Sequence, residues 1–115
     1  MRENKLADLS MNLAIKIIEL TEKINGHYSI VNQLERSATS IGANIREANY
    51  AQSRLDFISK LQISLKECYE TEFWLELIIN ANLLPKDLVL PNLHSCGEIR
   101  RMLIASINTT KNNVK

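Results

Sequence analysis

Three glutamates, Glu67, Glu70 and Glu72, stand close together and are the residues most suggestive of general acid–base chemistry. On a long helix, such acids more often face water or pair with cations. The axial level of Arg36 places it near Glu67, so an Arg36–Glu67 or Arg36–Glu70 ion pair would set the register of two helices. We therefore interpret these residues as structural, together with Asn44, whose amide can satisfy backbone or partner groups, and Glu47.

Metal and redox chemistry is poorly supported by the spacing of the histidines and cysteines. His27 and His94 belong to no Cys-x-x-Cys, His-Glu-x-x-His or paired Glu-x-x-His pattern. Folding the chain back at Pro85 sets Cys68 level with Met102, about 9 Å along the axis from Cys96, so we expect two separate buried thiols. Glycine-rich phosphate loops and nucleophile elbows are also missing from the sequence. We predict no cofactor, no metal site and no enzymatic activity.

These residues are positioned by four helices, which the spacing of apolar residues predicts. The first helix covers about residues 5–25 and ends at Asn25-Gly26, and Ser29 caps the second. The third begins after Ser53, with Asp56 three positions on, and runs to about Asn82. Pro85 breaks the chain, and Pro91 is expected in the first turn of the fourth helix. The predicted inner stripe of the third helix is Leu55, Ile58, Leu61, Leu65, Cys68, Leu75 and Ile79.

Length and composition suit one ordinary globular domain over residues 1–115. Apolar residues make up 45% and charged residues 23%, and glycine and proline together number only five. No stretch is long and apolar enough for a membrane span, and the polar N-terminus does not resemble a signal peptide, so a cytoplasmic location is expected. Short connections predict an all-α, antiparallel up-down-up-down four-helix bundle.

Apolar residues cover nearly the whole circumference of the third helix near its end. Phe73, Trp74 and Ile78 lie off the predicted inner stripe. A helix that is apolar all round must be covered all round, which a lone four-helix bundle does not do. On the second helix, the small residues Ser40 and Ala43 lie opposite the core. We therefore predict a homo-oligomer with these five residues at its interface, the alternatives being packing of Trp74 within the chain and a solvated face on the second helix.

The segment from Arg36 to Ala48 resembles a family of four-helix-bundle proteins encoded in intervening sequences of bacterial large-subunit ribosomal RNA genes. The family pattern, approximately Arg-x-Ala-x-Ser-Ile-x-x-Asn-Ile-x-Glu, is matched from Arg36 to Glu47. A second match is Phe57–Leu61 followed by Leu65–Leu75. The accessory proteins of diversity-generating retroelements are similar to the same group. The resemblance implies a homopentamer with a central channel and no known enzymatic activity. For the retroelement members, it also implies binding of nucleic acid and a reverse transcriptase.

The predicted bundle has a basic pole, because its topology brings residues 1–12, 40–62 and 104–115 to one end. That end carries seven basic and four acidic side chains, although the whole chain has a net charge of only +1. A basic rim can bind phosphate without sequence preference. The expected nucleic-acid contacts are Lys5, Arg46, Arg54, Lys60, Lys111 and, by stacking, Tyr50.

Two hypotheses remain open at this stage. In the first, an oligomeric helical scaffold binds RNA or DNA, or a nucleic-acid-handling protein, through its basic pole. In the second, the protein is an assembly module that binds only other proteins, through its acidic pole or an apolar groove. An enzyme would need a pocket with converging polar groups, which the sequence does not indicate.

Overall fold

The computed structural model describes residues 2–113 and forms an all-α four-helix bundle, which confirms the predicted helix number and the all-α class. The helices are α1 (Asn4–Thr21), α2 (Tyr28–Asn49), α3 (Arg54–Asn80) and α4 (Lys86–Asn112). They pack as a closed square in which each helix contacts the two beside it, α1 touching both α2 and α4. The bundle measures 50 × 19 × 19 Å. No helix among the described residues is long and apolar enough to cross a membrane.

The helix ends follow local chemistry, with several departures from prediction. Ser53 caps α3 as expected, its hydroxyl accepting from the Asp56 backbone N–H at 3.0 Å. The prediction for Ser29 is wrong: α2 begins at Tyr28 behind His27, whose φ of 53° follows the left-handed Gly26. Helix α1 ends at Thr21, four residues before the predicted stop, and α3 ends at Asn80.

Pro91 lies inside α4 and not in its first turn. The helix starts at Lys86, directly after Pro85, so Pro91 is its sixth residue. A proline here removes one helical hydrogen bond, the one that an N–H at this position would donate to the Asp87 carbonyl.

The inner face of α3 follows a strict seven-residue repeat. The residues that point inward are Phe57, Leu61, Ser64, Cys68, Thr71, Leu75 and Ile78, all buried. The predicted stripe was partly wrong, because Leu55 is exposed and Ile79 only half-buried. Ser64 and Thr71 explain the error: a stripe chosen from apolar residues alone skips two true core positions.

Both hydroxyls in that repeat are satisfied across the contact with α2. Ser64 donates to the Ile41 carbonyl oxygen at 2.8 Å. The hydroxyls of Thr71 and Ser37 lie 2.9 Å apart, and Ser37 also donates to the Leu34 carbonyl. The hydrogen bonds offset the cost of burying these groups, and the small side chains let the two helices approach closely.

Cys68 and Cys96 meet in the core, contrary to the prediction that they are separated. The Cys96 thiol lies 3.5 Å from the Cys68 carbonyl oxygen, and both cysteines are free and buried. The prediction failed because the turn occupies residues 81–85 and is centred at Leu83, not at Pro85. The hydrogen bond to the Cys96 side chain and burial together raise the pKa of the Cys68 thiol far above its ordinary value.

Candidate functional site

The basic pole is assembled where the beginnings of α1 and α3 meet the ends of α2 and α4. The Glu3 backbone N–H donates to the Asn49 side-chain oxygen at 2.7 Å, and Arg54 donates to the Asn113 carbonyl oxygen at 2.5 Å. These two contacts tie α1 to α2 and α3 to α4 at the same end of the bundle.

The cations predicted at this pole are not equally available to contact phosphate. Lys5, Arg46 and Lys111 are exposed and have no ion-pair partner among the described residues. Lys60 is paired with Glu47 at 3.1 Å, which neutralises its charge. Arg54 is exposed but holds the end of α4. Lys115, which counted toward the predicted pole, lies outside the described residues.

Tyr50 is exposed beside the turn between α2 and α3. The guanidinium carbon of Arg2 lies 5.3 Å from the centre of its ring, a cation–π distance. Tyr50 is therefore an exposed aromatic at the pole, as the sequence predicted, but Arg2 already lies against one face of its ring.

The polar residues of the Arg36–Glu47 motif make two kinds of contact. Arg36 and Glu47 form ion pairs with residues of α3, and Asn44 forms a hydrogen bond within α2. Arg36 donates to Glu67, at 3.2 Å to the nearer oxygen, and also to Glu70. Asn44 donates to the Ser40 carbonyl oxygen at 2.8 Å. The Arg36 contacts and the Lys60–Glu47 pair thus link α2 to α3 at two levels, whereas the Asn44 hydrogen bond stays within α2.

Glu70 is the centre of this cluster. It accepts hydrogen bonds from the Trp74 indole at 3.0 Å and from Arg36. These two donors, in that order, lower the pKa of Glu70, and hydrogen bonds to Glu70 and Glu67 raise the pKa of Arg36. Glu72 instead faces α4, where it accepts from Arg100 at 2.8 Å and raises the pKa of that guanidinium. The three glutamates are thus divided between two ion-paired clusters and do not converge.

The predicted interface on α3 is only partly exposed. Phe73 is 56% exposed and packs edge-to-face on Trp74, which is half-buried. The prediction for Ile78 is wrong, since this residue is fully buried within the protomer. It belongs to the seven-residue repeat of α3 and therefore faces the core.

A groove between α1 and α2 is the surface that sequence reasoning missed. It has a volume of about 560 Å³. Its lining residues are Ala7, Ser10, Met11, Ala14, Ile15, Ile18, Thr39, Gly42, Ala43, Arg46 and Glu47. Of the predicted interface pair on α2, Ala43 lines this groove and Ser40 lies outside it. Met11, Ile15 and Ile18 are each about half exposed, and their repeated spacing on the outer side of α1 was the signal that could have revealed the groove.

Gly42 forms the floor of the groove because α1 and α2 approach closely there. A Cβ atom at this position would lie 3.1 Å from the Ser10 hydroxyl oxygen. Close approach of the two helices therefore compensates for the low helix propensity of glycine at Gly42. At Gly97, by contrast, an added Cβ would meet only the arginine side chains of its own helix, Arg100 and Arg101.

Metal ligands do not cluster in the described part of the chain. Between residues 2 and 113, no three histidine, cysteine or acidic side chains are placed to hold an ion. His94 is exposed on α4, and His27 is exposed in the turn before α2.

Comparison with known proteins identifies the relationship directly. A solved structure from Bacteroides thetaiotaomicron VPI-5482, of a protein with unknown function from the S23 ribosomal protein family, is 42% identical, with a TM-score of 0.83. The match covers 89% of this chain and 97% of that one. A comparison with curated proteins gives no match. Residues 2–105 match the family described as 23S rRNA-intervening sequence protein. The chain therefore belongs to the 23S rRNA-intervening sequence protein family.

Proposed function

We propose that the protein is a non-enzymatic helical scaffold, built from antiparallel up-down-up-down protomers that assemble into a homo-oligomer. The observation that carries this proposal is the continuous apolar face of the α1–α2 groove, where Met11, Ile15 and Ile18 stand half exposed. Such faces on soluble proteins mark association surfaces. The antiparallel order is supported by contacts such as Thr21 with Glu35 and Glu3 with Asn49, which pair late residues of one helix with early residues of the next.

Sedimentation velocity over micromolar concentrations tests the assembly. We expect a species that is a multiple of the 13.1 kDa chain. A single 13.1 kDa species throughout that range would contradict the proposal. Five copies, the number implied by the family resemblance, would appear in the same experiment.

Nucleic-acid binding is a second candidate function, favoured by the exposed cations Lys5, Arg46 and Lys111 at one end of the bundle. Repetition of this pole around an oligomer would multiply the phosphate contacts that each protomer offers. A nucleic-acid-handling protein with an acidic surface is an alternative partner for the same pole, and binding to proteins alone is the rival function.

Fluorescence anisotropy with random single-stranded RNA and DNA tests this candidate. Replacing Lys5, Arg46 and Lys111 by glutamine should weaken binding and reduce the salt slope by roughly 0.7 for each phosphate that is no longer neutralised. The control replaces Lys23, Lys66 and Arg101, which are exposed elsewhere, and changes the net charge equally. Flat titrations at low salt, or equal weakening by both variants, would exclude the pole as the binding site.

A further inference from the structure

A second cleft lies between α1 and α4 and has a volume of about 370 Å³. Volumes of this order lie at the lower end of those that hold small molecules. The cleft extends over residues 16–23 of α1 and 88–95 of α4, which is two helical turns or about 10 Å. This α1–α4 cleft therefore belongs to the half of α1 that is remote from the basic pole.

Asn92 is the unusual residue of the α1–α4 cleft. Six polar side chains are buried among the described residues, and Asn92, 8% exposed, is one of them. The other five carry hydroxyls, and each makes a hydrogen bond within the protein. The Asn92 amide has no such partner between residues 2 and 113. Because every fully inaccessible polar side-chain atom in that range is paired, the amide must be open to the cleft.

Two neighbouring residues of α4 thus lower the stability of the protein at one place. The Asn92 amide is largely removed from water without an internal hydrogen bond. Pro91, which also lines the cleft, deletes a hydrogen bond of the helix. Proteins retain such costs mainly at functional sites. Two of them in one cleft indicate a site that binds a ligand.

The charges around Asn92 favour a ligand with an anionic group. Lys16 and Lys23 line the α1 side of the cleft, and Ser95 adds a hydroxyl from α4. One carboxylate is present, that of Glu19, and it pairs with Lys16 at 3.5 Å. Two lysines and one glutamate leave the cleft with a net charge of +1, which attracts a phosphate or carboxylate group.

The amide of Asn92 selects the other end of the ligand. A primary amide offers a hydrogen-bond donor and an acceptor side by side. The edges of nucleobases offer the complementary pair, and asparagine reads adenine in this way. Leu20, Leu88 and Pro91 supply apolar surface for the faces of a base. A peptide would instead present its amides along an extended line, whereas this cleft has one amide and is two turns long.

We propose that the α1–α4 cleft binds a single nucleotide, with the base edge hydrogen-bonded to Asn92 and the phosphate held by Lys16 and Lys23. The nucleotide is either a free nucleoside monophosphate or an unpaired nucleotide of a single strand. This site goes beyond the scaffold function and is separate from the basic pole, because it uses none of the cations of that pole.

Calorimetric titration with adenosine monophosphate tests the site. Asn92→Leu keeps the approximate volume but removes the amide, and it should weaken binding roughly tenfold or more. Asn108→Leu, at an exposed position of the same helix, is the control and should leave the affinity unchanged. Asn92→Asp keeps the shape but replaces the donor by a negative charge, so it should also lose binding. In thermal unfolding without ligand, Asn92→Leu should melt higher than the parent, because the unpaired amide is gone.

Fragments of the nucleotide separate its two ends. Ribose 5-phosphate lacks the base, so Asn92→Leu should not alter its binding. Adenosine lacks the phosphate, so Lys23→Gln should weaken the binding of adenosine monophosphate and leave that of adenosine unchanged. Lys66→Gln, at an exposed position of α3, is the control for the lysine and should affect neither.

A hexa-adenylate single strand distinguishes the two sources of the nucleotide. Tighter binding of the strand than of the monophosphate, lost in Asn92→Leu, would identify an unpaired nucleotide of a strand as the ligand. Absence of binding by both, or equal binding by Asn92→Asp, would overturn the site, as would Asn92-dependent binding of an acidic peptide alone. The triple glutamine variant of the basic pole should keep its affinity for adenosine monophosphate, so either site can fail without the other.

Discussion

At the scale of single residues, charge pairing across helices explains the polar motif. Arg36 donates hydrogen bonds to the carboxylates of Glu67 and Glu70, and Glu70 accepts hydrogen bonds from both Arg36 and the Trp74 indole. Because this cluster is partly exposed, each pair contributes modestly to stability, of the order of 1 kcal/mol or less. Its main effect is to specify which residues of α2 and α3 lie side by side.

The lowered pKa of Glu70 makes the stability of this cluster depend on pH. The unfolded carboxyl has its ordinary pKa of 4.5, and the folded one lies lower, so the stabilising contribution is complete above that value. It is lost as the pH falls through the folded pKa. Urea unfolding at pH values from 7 to about 3 should show that Glu70→Gln loses less stability on acidification than the parent. Identical slopes would contradict this assignment. Glu76→Gln, on the exposed side of the same helix, is the control.

At the scale of helices, close approach and helix propensity compete at Gly42. The glycine costs about 1 kcal/mol of helix stability relative to alanine, yet an added Cβ would press on Ser10. The sequence shows only the cost, whereas the contact between α1 and α2 shows what compensates for it.

Substitution at this contact should be strongly non-additive. We expect Gly42→Ala alone to be neutral or destabilising, because the Ser10 hydroxyl, which donates to the Ala7 carbonyl at 3.1 Å, must move. Combining it with Ser10→Ala should stabilise the bundle by up to about 1 kcal/mol through helix propensity. Thermal unfolding of the two single variants and the double variant measures the coupling. Simple additivity would show that the contact is not tight.

Proline inside α4 is a second feature at this scale. Pro91→Ala restores an N–H that can donate to the Asp87 carbonyl and should raise the free energy of unfolding by about 1–3 kcal/mol. Chemical denaturation measures this change. Pro85→Ala is the matched control: Pro85 precedes the helix, where proline costs no helical hydrogen bond, so its replacement should have a smaller effect.

At the scale of the whole molecule, the core is continuous along the bundle and includes the cysteine pair. Cys68 and Cys96 have no exposed surface, and the pKa of Cys68 is raised, so their thiols are poor nucleophiles in the native state. They become available only when α3 and α4 separate.

Thiol reactivity should therefore report global unfolding. With a chromogenic disulfide reagent, the native protein should react at a rate proportional to its unfolded population, rising in parallel with denaturant-induced unfolding. Asn12→Cys should react at once, because this position is exposed on α1. Rapid reaction of both native cysteines without denaturant would indicate a local opening between α3 and α4.

The sequence by itself determined the helix number and the level at which Arg36 meets Glu67, because apolar spacing and helical rise are local properties. Only the tertiary structure decided the inner face of α3. Hydrogen bonds across helices make Ser64 and Thr71 core residues, which moves Ile78 inside. The tertiary structure also decided that the two cysteines meet, because the span of a turn depends on how the two helices pack. It likewise decided that the outer stripe of α1 lies beside small residues of α2.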